Sequence, residues 1–251
     1  MLKTATTLLK WKAVSDPVSA YYHLDKEKVL LSDLLLEQDS LAQINGLIKE
    51  HRYAEALHRY GLPVNNKLLL SGASGCGKTT TAKAIATKLE KPMLVLNLST
   101  IVNAKIGETA QNLQQVFNKA AQLRAVLLLD EFDQIGKART GDDKDVGEMR
   151  RLVNTLLQLI DYYPENALLI AATNHAALID PALLRRFQLR LKFRMPDKQA
   201  LDVYYEKLLA AFPAELKDFI RKYDVSYAEA KDYTYTTIKS NLIAALEQQE
   251  Q

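Results

Sequence analysis

The stretch that decides the fold reads Gly72-Ala73-Ser74-Gly75-Cys76-Gly77-Lys78-Thr79, and it matches the pattern G-x-x-x-x-G-K-[ST]. The apolar run at 68–70 before it predicts a buried strand, and residues 80–89 after it predict a helix. In that context the motif is a phosphate-binding P-loop, in which backbone N–H groups and a helix N-terminus face a polyphosphate. A glycine-rich turn before an ordinary helix is the alternative, and the combination of motif, strand and helix disfavours it.

Specific side chains of this region have predictable tasks. Lys78 can reach the β- and γ-phosphates, and the hydroxyl of Thr79 can bind Mg²⁺. A second apolar run at 125–129 ends in Asp130-Glu131-Phe132-Asp133, which places acidic groups at the carboxyl edge of a parallel sheet. We predict that Asp130 shares the Mg²⁺ with Thr79 and that Glu131 polarises the attacking water. All eight motif residues, together with Thr80 and Asp130, are therefore predicted nucleotide contacts.

Composition limits the remaining classes of protein. The chain has 251 residues, which is enough for one sizeable α/β core and a small accessory domain. A net charge of +3 is too small to indicate nucleic-acid binding by itself. Cys76 is the single cysteine, so an intramolecular disulfide is excluded. Because the sequence shows neither a signal peptide nor an apolar run of membrane-spanning length, we expect a cytoplasmic protein without a membrane partner.

The order of strand and helix patterns predicts the fold class. After a helix at 39–59, strands are predicted at 67–71, 93–98, 126–130, 168–172 and 189–193, separated by helices at 79–89, 110–122 and 148–160. This alternation predicts an α/β fold with a doubly wound parallel sheet. Beyond residue 196 only helices are predicted, at 197–211, 214–223 and 227–248, with Asp197 as the first cap. We therefore divide the chain into an N-terminal extension (1–29), a nucleotide-binding α/β domain (30–196) and a small helical domain (197–251).

The motifs, in this order, resemble the AAA+ ATPases and more narrowly their AAA branch. Residues 72–79 resemble the Walker A motif, residues 127–133 resemble Walker B, and Ala171-Ala172-Thr173-Asn174 resembles sensor 1. The resemblance implies a P-loop NTPase with a five-stranded parallel sheet in the order 5-1-4-3-2, followed by an all-helical lid. It implies ATP and Mg²⁺ as cofactors. It also implies that Asn174 hydrogen-bonds the γ-phosphate or the attacking water.

Two further segments resemble family motifs that contact other molecules, one a neighbouring subunit and the other a substrate. Residues 180–187 resemble the second region of homology, whose arginine fingers reach the neighbouring subunit's nucleotide. Here Arg185 and Arg186 are adjacent, so either or both are candidates. The resemblance implies a homo-oligomer, a hexameric ring, because each site then needs two copies. Residues 104–109 resemble the first pore loop, with Lys105, beside Ile106, at the position of the usual aromatic side chain. A lysine there favours limited remodelling over forceful threading.

Two weaker predictions concern a family motif in the helical lid and the residues that contact the adenine ring. Residues 226–229 fall where the family often carries Ser-Gly-Ala-Asp, and the apolar residues at 30–34 and 46–48 are predicted adenine contacts. Tyrosines between 223 and 235 resemble a base-stacking platform, but without a basic groove beside them we predict that they pack helices together.

The favoured function is an oligomeric AAA ATPase that hydrolyses ATP to remodel a partner protein. The partner is predicted to be a protease, because residues 148–158 resemble a protease-adjacent group, or a HORMA-like protein of antiviral (antiphage) defence. The alternative is a clamp-loader-like or helicase-loader-like ATPase acting on nucleic acid. It is disfavoured because the available cations are scattered among acids. A non-catalytic switch is a third possibility, against which Glu131 and Asn174 speak.

Overall fold

A computed structural model describes residues 19–99, 109–137 and 143–249. Its centre is a six-stranded sheet in the order β1-β3-β4-β5-β2-β6. The strands are β1 (Tyr22–Asp25), β2 (Lys67–Gly72), β3 (Met93–Asn97), β4 (Val126–Asp130), β5 (Leu168–Thr173) and β6 (Leu189–Phe193). The helices are α1 (Gln38–Arg52), α2 (Ala54–Arg59), α3 (Lys78–Leu89), α4 (Thr109–Gln122), α5 (Gln134–Lys137), α6 (Asp143–Asp161), α7 (Pro181–Leu184), α8 (Lys198–Leu209) and α9 (Tyr227–Gln249).

The five predicted strands are confirmed as β2 to β6, and they are all parallel to one another. Numbered along the chain, these five strands lie in the order 5-1-4-3-2, as the family resemblance implied. The apolar runs of β2 to β5 are continuous rather than alternating, because helices cover both faces of the sheet, whereas β6 at its edge alternates apolar and basic residues. One core packs the sheet against α4 and α6, and the other packs it against α1 and α3.

The sixth strand, β1, was not predicted. It pairs antiparallel with β3, from Tyr22 opposite Leu96 to Asp25 opposite Met93, and so extends the sheet beyond the parallel strands. It lies within the residues that we assigned to the N-terminal extension. The division of the chain into an extension and two domains stays a prediction.

Two helix predictions need correction. The helix predicted at 39–59 is divided at Tyr53 into α1 and α2. The helix predicted at 214–223 is wrong, since only a single 3-10 turn, Ala214–Leu216, forms there before an irregular segment. In that segment the ring of Phe219 packs at 5.8 Å from Tyr205 of α8, which holds the chain by tertiary contact rather than by a helix.

The C-terminal region is otherwise helical, as predicted. Asp197 caps α8 by accepting a hydrogen bond from the backbone of Ala200 at 2.8 Å, which confirms the predicted cap. Tyr223 and Tyr227 pack around the buried side chains of α8, which confirms that these tyrosines hold the helical region together. None of the helices in the described part of the chain is both long and apolar enough to cross a membrane.

Candidate functional site

The phosphate-binding loop connects β2 to α3 and depends on glycine at two tight positions. Gly72 has φ of 139°, and a Cβ built there would lie 1.9 Å from the carbonyl oxygen of Phe193 in β6. Gly77 has φ of 96° and stands at the N-cap of α3, where the chain turns into the helix. Both conformations are in the region that side chains with a Cβ rarely adopt. The loop can therefore curl closely over the edge of the sheet.

Lys78 is held by three oxygen atoms. Its Nζ donates hydrogen bonds to the carbonyl oxygens of Gly72 (2.9 Å) and Ala73 (2.8 Å) and to Oδ1 of Asn174 (2.7 Å). Burial lowers the pKa of Lys78 below its usual value, and nearby acidic groups, Asp130 among them, partly oppose this shift. The Lys78–Asn174 bond joins residues that are 96 positions apart in the sequence. The structure thus brings the P-loop and sensor 1 candidates together.

The acidic residues after β4 have different surroundings. The backbone N–H of Glu131 donates to Oδ1 of Asp130 at 2.9 Å, and Glu131 adopts a left-handed conformation with φ of 53°. Within the described residues, the Glu131 carboxylate has no hydrogen bond or ion pair. Asp133 is buried, and its Oδ1 accepts hydrogen bonds from the hydroxyl of Thr173 (2.8 Å) and the backbone N–H of Asn174 (3.3 Å). Asp133 therefore fixes the end of β5 that presents Asn174.

Lys78, Asp130, Glu131 and Asn174 line one cavity of about 480 Å³. Its polar end is formed by the loop and by the carboxyl ends of β4 and β5, where Asp130, Glu131 and Asn174 lie. Its other end is formed by residues 33–36 and by four lid residues, Tyr204, Tyr227, Ala228 and Lys231. Among the predicted nucleotide contacts, the cavity is lined by Ser74, Gly75, Cys76, Gly77, Lys78, Thr79, Thr80 and Asp130.

The lid rests directly on the P-loop. The backbone N–H of Ala228, in the first turn of α9, donates to the carbonyl oxygen of Gly75 at 3.1 Å. A Cβ built on Gly75 would lie 2.4 Å from the hydroxyl oxygen of Ser226. Ser226 and Glu229 form a reciprocal cap, in which Oε2 of Glu229 accepts from the Ser226 backbone and hydroxyl, each at 2.7 Å. Residues 226–229, which weakly resemble the family's Ser-Gly-Ala-Asp motif, therefore lie against the P-loop.

Cys76 is buried in the loop beside the start of the lid. Its Sγ lies 3.6 Å from Sδ of Met195 and 3.6 Å from the carbonyl oxygen of Ser74. Burial raises the pKa of the Cys76 thiol. This side chain is a packing group between the loop and the segment that leads to α8.

The two candidate finger arginines differ in their contacts. Arg186 lies against the end of α6, where its Nε and Nη2 donate to the two carboxylate oxygens of Asp161 at 3.0 and 3.2 Å. Its Nη1 also donates to the carbonyl oxygen of Ala182 at 2.8 Å. Arg185 is exposed, and within the described residues its guanidinium makes no hydrogen bond or ion pair. Neither arginine lines the 480 Å³ cavity of its own chain.

Other predicted contacts are only partly supported. Of residues 30–34, Asp33 and Leu34 reach the cavity, whereas Leu30 is not among its lining residues. Leu47 and Ile48 lie in the hydrophobic core, so residues 46–48 are wrong as adenine contacts. The pore-loop candidates Lys105 and Ile106 lie outside the described residues. Sequence reasoning missed Tyr204, Lys231 and Asp133; only Asp133 carried a signal, its place in the acidic run after β4.

A P-loop at the carboxyl edge of a parallel sheet, closed by a helical lid, defines a nucleotide-binding α/β protein. The family model described as "ATPase family associated with various cellular activities (AAA)" matches residues 68–195. The chain therefore belongs to the AAA family of ATPases.

Similar proteins include an AAA family ATPase, y4kL, of Sinorhizobium fredii, which is 35% identical over 218 residues, covering 84% of this chain and 65% of that protein. A 26S proteasome regulatory subunit homolog of Methanocaldococcus jannaschii is 26% identical over 203 residues, covering 78% of this chain and 54% of the homolog. The proteasome-associated ATPase of Mycobacterium bovis is 30% identical over 236 residues, covering 78% of this chain and 38% of that ATPase. The chain thus spans between about a third and two thirds of the length of these relatives.

Proposed function

We propose that this chain is an oligomeric ATPase that binds ATP with Mg²⁺ in the cavity between loop and lid, and uses hydrolysis to remodel a partner protein. One observation carries the proposal: Lys78, Asp130, Glu131 and Asn174 line a single cavity beneath the lid. A cation, a free carboxylate and an amide that line one cavity are groups that phosphoryl transfer requires.

Each group has a task that its contacts support. Lys78 already donates to three oxygens, so phosphate oxygens can replace Asn174 as its partner while the backbone bonds keep the ammonium in place. The carboxylate of Glu131, without a protein partner in the described residues, is free to orient a water molecule. Asn174 is held by Asp133 through its backbone, which leaves the amide to contact the γ-phosphate or that water.

Thr79 and Asp130 both line the cavity and offer the oxygen ligands that Mg²⁺ prefers. When bound, Mg²⁺ neutralises charge that develops on the phosphate oxygens. A site with few protein ligands fits this ion, because Mg²⁺ commonly keeps several waters and binds substrate phosphates as well.

The far end of the cavity supports an adenine seat. Leu34, Leu35 and Leu36 line it on one side, and Tyr204 and Tyr227 line it from the lid, with their ring centroids 4.9 Å apart. Apolar and aromatic side chains of this kind suit a flat base, while the loop takes the phosphates. An occupied cavity would then contact both the sheet domain and the lid.

We further propose that a neighbouring copy completes the site with Arg185 or Arg186, in a ring of such contacts. Two observations support this: neither arginine lines the cavity of its own chain, and Arg185 is exposed. For Arg186 to act in this way, its guanidinium must exchange Asp161 for a phosphate of the adjacent copy. A hexamer is the ring size that the family resemblance favours.

The partner is proposed to be a protein. Two relatives are named for proteasomes, which favours a protease-type partner, while a HORMA-like protein of antiphage defence stays a narrower prediction. The nucleic-acid alternative has one observation in its favour: Arg190 and Lys192 are exposed on β6, one of the two edge strands of the sheet, and Arg194 is exposed directly after it. Extra cations at an edge strand also serve to prevent edge-to-edge pairing, so this row alone does not indicate a DNA groove.

The test is ATP turnover per molecule against protein concentration, with and without duplex DNA. Turnover that rises steeply with concentration, independently of DNA, supports shared sites acting on a protein. Stimulation by DNA would favour the loader alternative, and no turnover at any concentration would contradict an ATPase. For the trans arginine, mixing the inactive Arg185→Ala/Arg186→Ala variant with inactive Glu131→Gln should restore part of the turnover. A pull-down with Glu131→Gln then identifies the partner.

A further inference from the structure

Residues 22–36 form a strap that starts at the far edge of the sheet and ends at the candidate nucleotide cavity. β1 pairs with β3 at one end, and residues 33–36 line the cavity at the other. Between these ends the strap passes along α3, the helix that begins at Lys78 in the P-loop. The strap is therefore fastened to the same helix that presents the loop.

Lys83 of α3 is the central fastening point. Its Nζ lies 2.9 Å from Oδ2 of Asp25 and 2.6 Å from Oε2 of Glu27. The side chains of Lys83 and Asp25 are 19% and 12% exposed, so this part of the pair is shielded from water. A shielded ion pair holds its geometry better than one on the open surface.

A second contact continues the attachment one turn further along α3. The backbone N–H of Val29 donates to the hydroxyl oxygen of Thr87 at 3.2 Å. The same hydroxyl donates to the carbonyl oxygen of Lys83 at 2.9 Å, so Thr87 is itself oriented by the helix. Beyond Val29, the side chains of Leu31 and Leu36 pack against the core on the α1 and α3 face.

The cavity end of the strap also touches the lid. Nζ of Lys207, in α8, donates to the carbonyl oxygen of Ser32 at 3.0 Å and lies 3.5 Å from Oδ1 of Asp33. Asp33 and the three leucines after it then form one wall of the cavity. The position of this wall thus depends on contacts to α3 and α8, because no strand or long helix lies between β1 and α1.

We propose that Lys83 is a positioning residue for nucleotide binding: by holding Asp25 and Glu27 it fixes the strap, and the strap fixes the wall against which the base rests. This inference rests on the proposed function of the cavity. Lys83 does not line the cavity itself and acts only through the strap. Burial disfavours the charged forms of Asp25 and Lys83, but their hydrogen bonds and ion pairs outweigh burial, so the pKa of Asp25 is lowered and the pKa of Lys83 is raised. Asp25 and Lys83 are therefore both charged at neutral pH.

The test compares Lys83→Met, which removes the charge and keeps the apolar stem, with Lys88→Met as the matched control. Lys88 lies on the same helix, is exposed, and its ammonium makes no hydrogen bond or ion pair with described residues. Titration with a fluorescent ATP analogue should show affinity about fivefold weaker in Lys83→Met, as expected for one partly shielded ion-pair site, and unchanged in the control. Lys83→Arg should restore most of the affinity, and KM should rise while kcat stays the same.

Hydrogen exchange measured in the absence of nucleotide tests the effect of Lys83 on the strap independently of binding affinity. Backbone amides of residues 22–36 should exchange faster in Lys83→Met than in the control, while those of α3 stay protected. If Lys83→Met does not fold, the Asp25→Asn/Glu27→Gln double variant removes the same pairs from the strap and should show the same loss of affinity. Equal affinity and equal exchange in the Lys83 and Lys88 variants would overturn the positioning role. If the unaltered protein binds no ATP analogue, the proposed function fails instead, and the inference fails with it.

Discussion

Two acidic residues of one tetrapeptide, Asp133 and Glu131, should respond oppositely to replacement by their amides. Asp133 is buried, and the hydrogen bonds that its Oδ1 accepts include those from Thr173 and from the backbone of Asn174. Hydrogen bonds to a charged acceptor contribute about 1.5–3 kcal/mol and neutral ones about 0.5–1.5 kcal/mol. Asp133→Asn should therefore destabilise the fold by about 2 kcal/mol, or about 1 kcal/mol for each bond.

For a chain of this size, about 2 kcal/mol corresponds to a fall of about 4–8 °C in Tm. Glu131→Gln should change Tm by no more than about 2 °C, because within the described residues its carboxylate has no partner to lose. The order is reversed for turnover. Glu131→Gln should bind ATP and lose about 10²- to 10⁴-fold in kcat, the range for a removed general base.

The assays are thermal unfolding by circular dichroism in the absence of nucleotide and steady-state ATP turnover at saturating ATP. A Tm for Asp133→Asn as high as that of Glu131→Gln would refute the reasoning about the buried network. Normal ATP hydrolysis by Glu131→Gln would show that another group activates the water.

Three further outcomes are expected. Lys78→Met should weaken binding of a fluorescent ATP analogue about 100-fold, through loss of charge-assisted contacts, and unchanged affinity would contradict the loop assignment. Burial lowers the pKa of His51 from 6.5 to about 4, so the unfolded chain takes up a proton first as pH falls. Unfolding at pH 7 and pH 5 should therefore show the unaltered protein losing about 2 kcal/mol more than His51→Gln, and equal losses would refute the shift. Gly72→Ala should lower Tm far more than Gly77→Ala, because a Cβ at 72 would lie 1.9 Å from the Phe193 carbonyl oxygen whereas a Cβ at 77 meets nothing within 4 Å. Similar Tm values would contradict the clash.

Local sequence patterns were sufficient for the parallel strands and the P-loop. A strand that is buried on both faces has a continuous apolar sequence, as β4 does. The P-loop motif is recognisable because its residues have a fixed spacing. Strand β1 could not be found in this way, because none of its four residues is buried and its partner β3 lies about 70 residues further along the chain.

Contacts between distant parts of the chain account for most of the other differences. The Arg186–Asp161 and Lys83–Asp25 pairs depend on how helices and strands are placed, and no spacing rule predicts them. The lid's share of the cavity, Tyr204 and Lys231, becomes visible only once α8 and α9 fold back over the loop. The helix wrongly predicted at 214–223 has the same origin, since aromatic packing against α8 outweighs its local helical pattern.

The hydrogen bond from Ala228 to Gly75 has a mechanical consequence. Because the first turn of α9 is bonded to the backbone of the loop, a movement of that turn away from the loop must stretch or break the bond. If the loop holds the phosphates as proposed, a neighbouring copy that displaces the lid would pull on the phosphate-binding backbone directly, without a relay of side chains. Departure of the spent nucleotide and movement of the C-terminal helices would then be a single event.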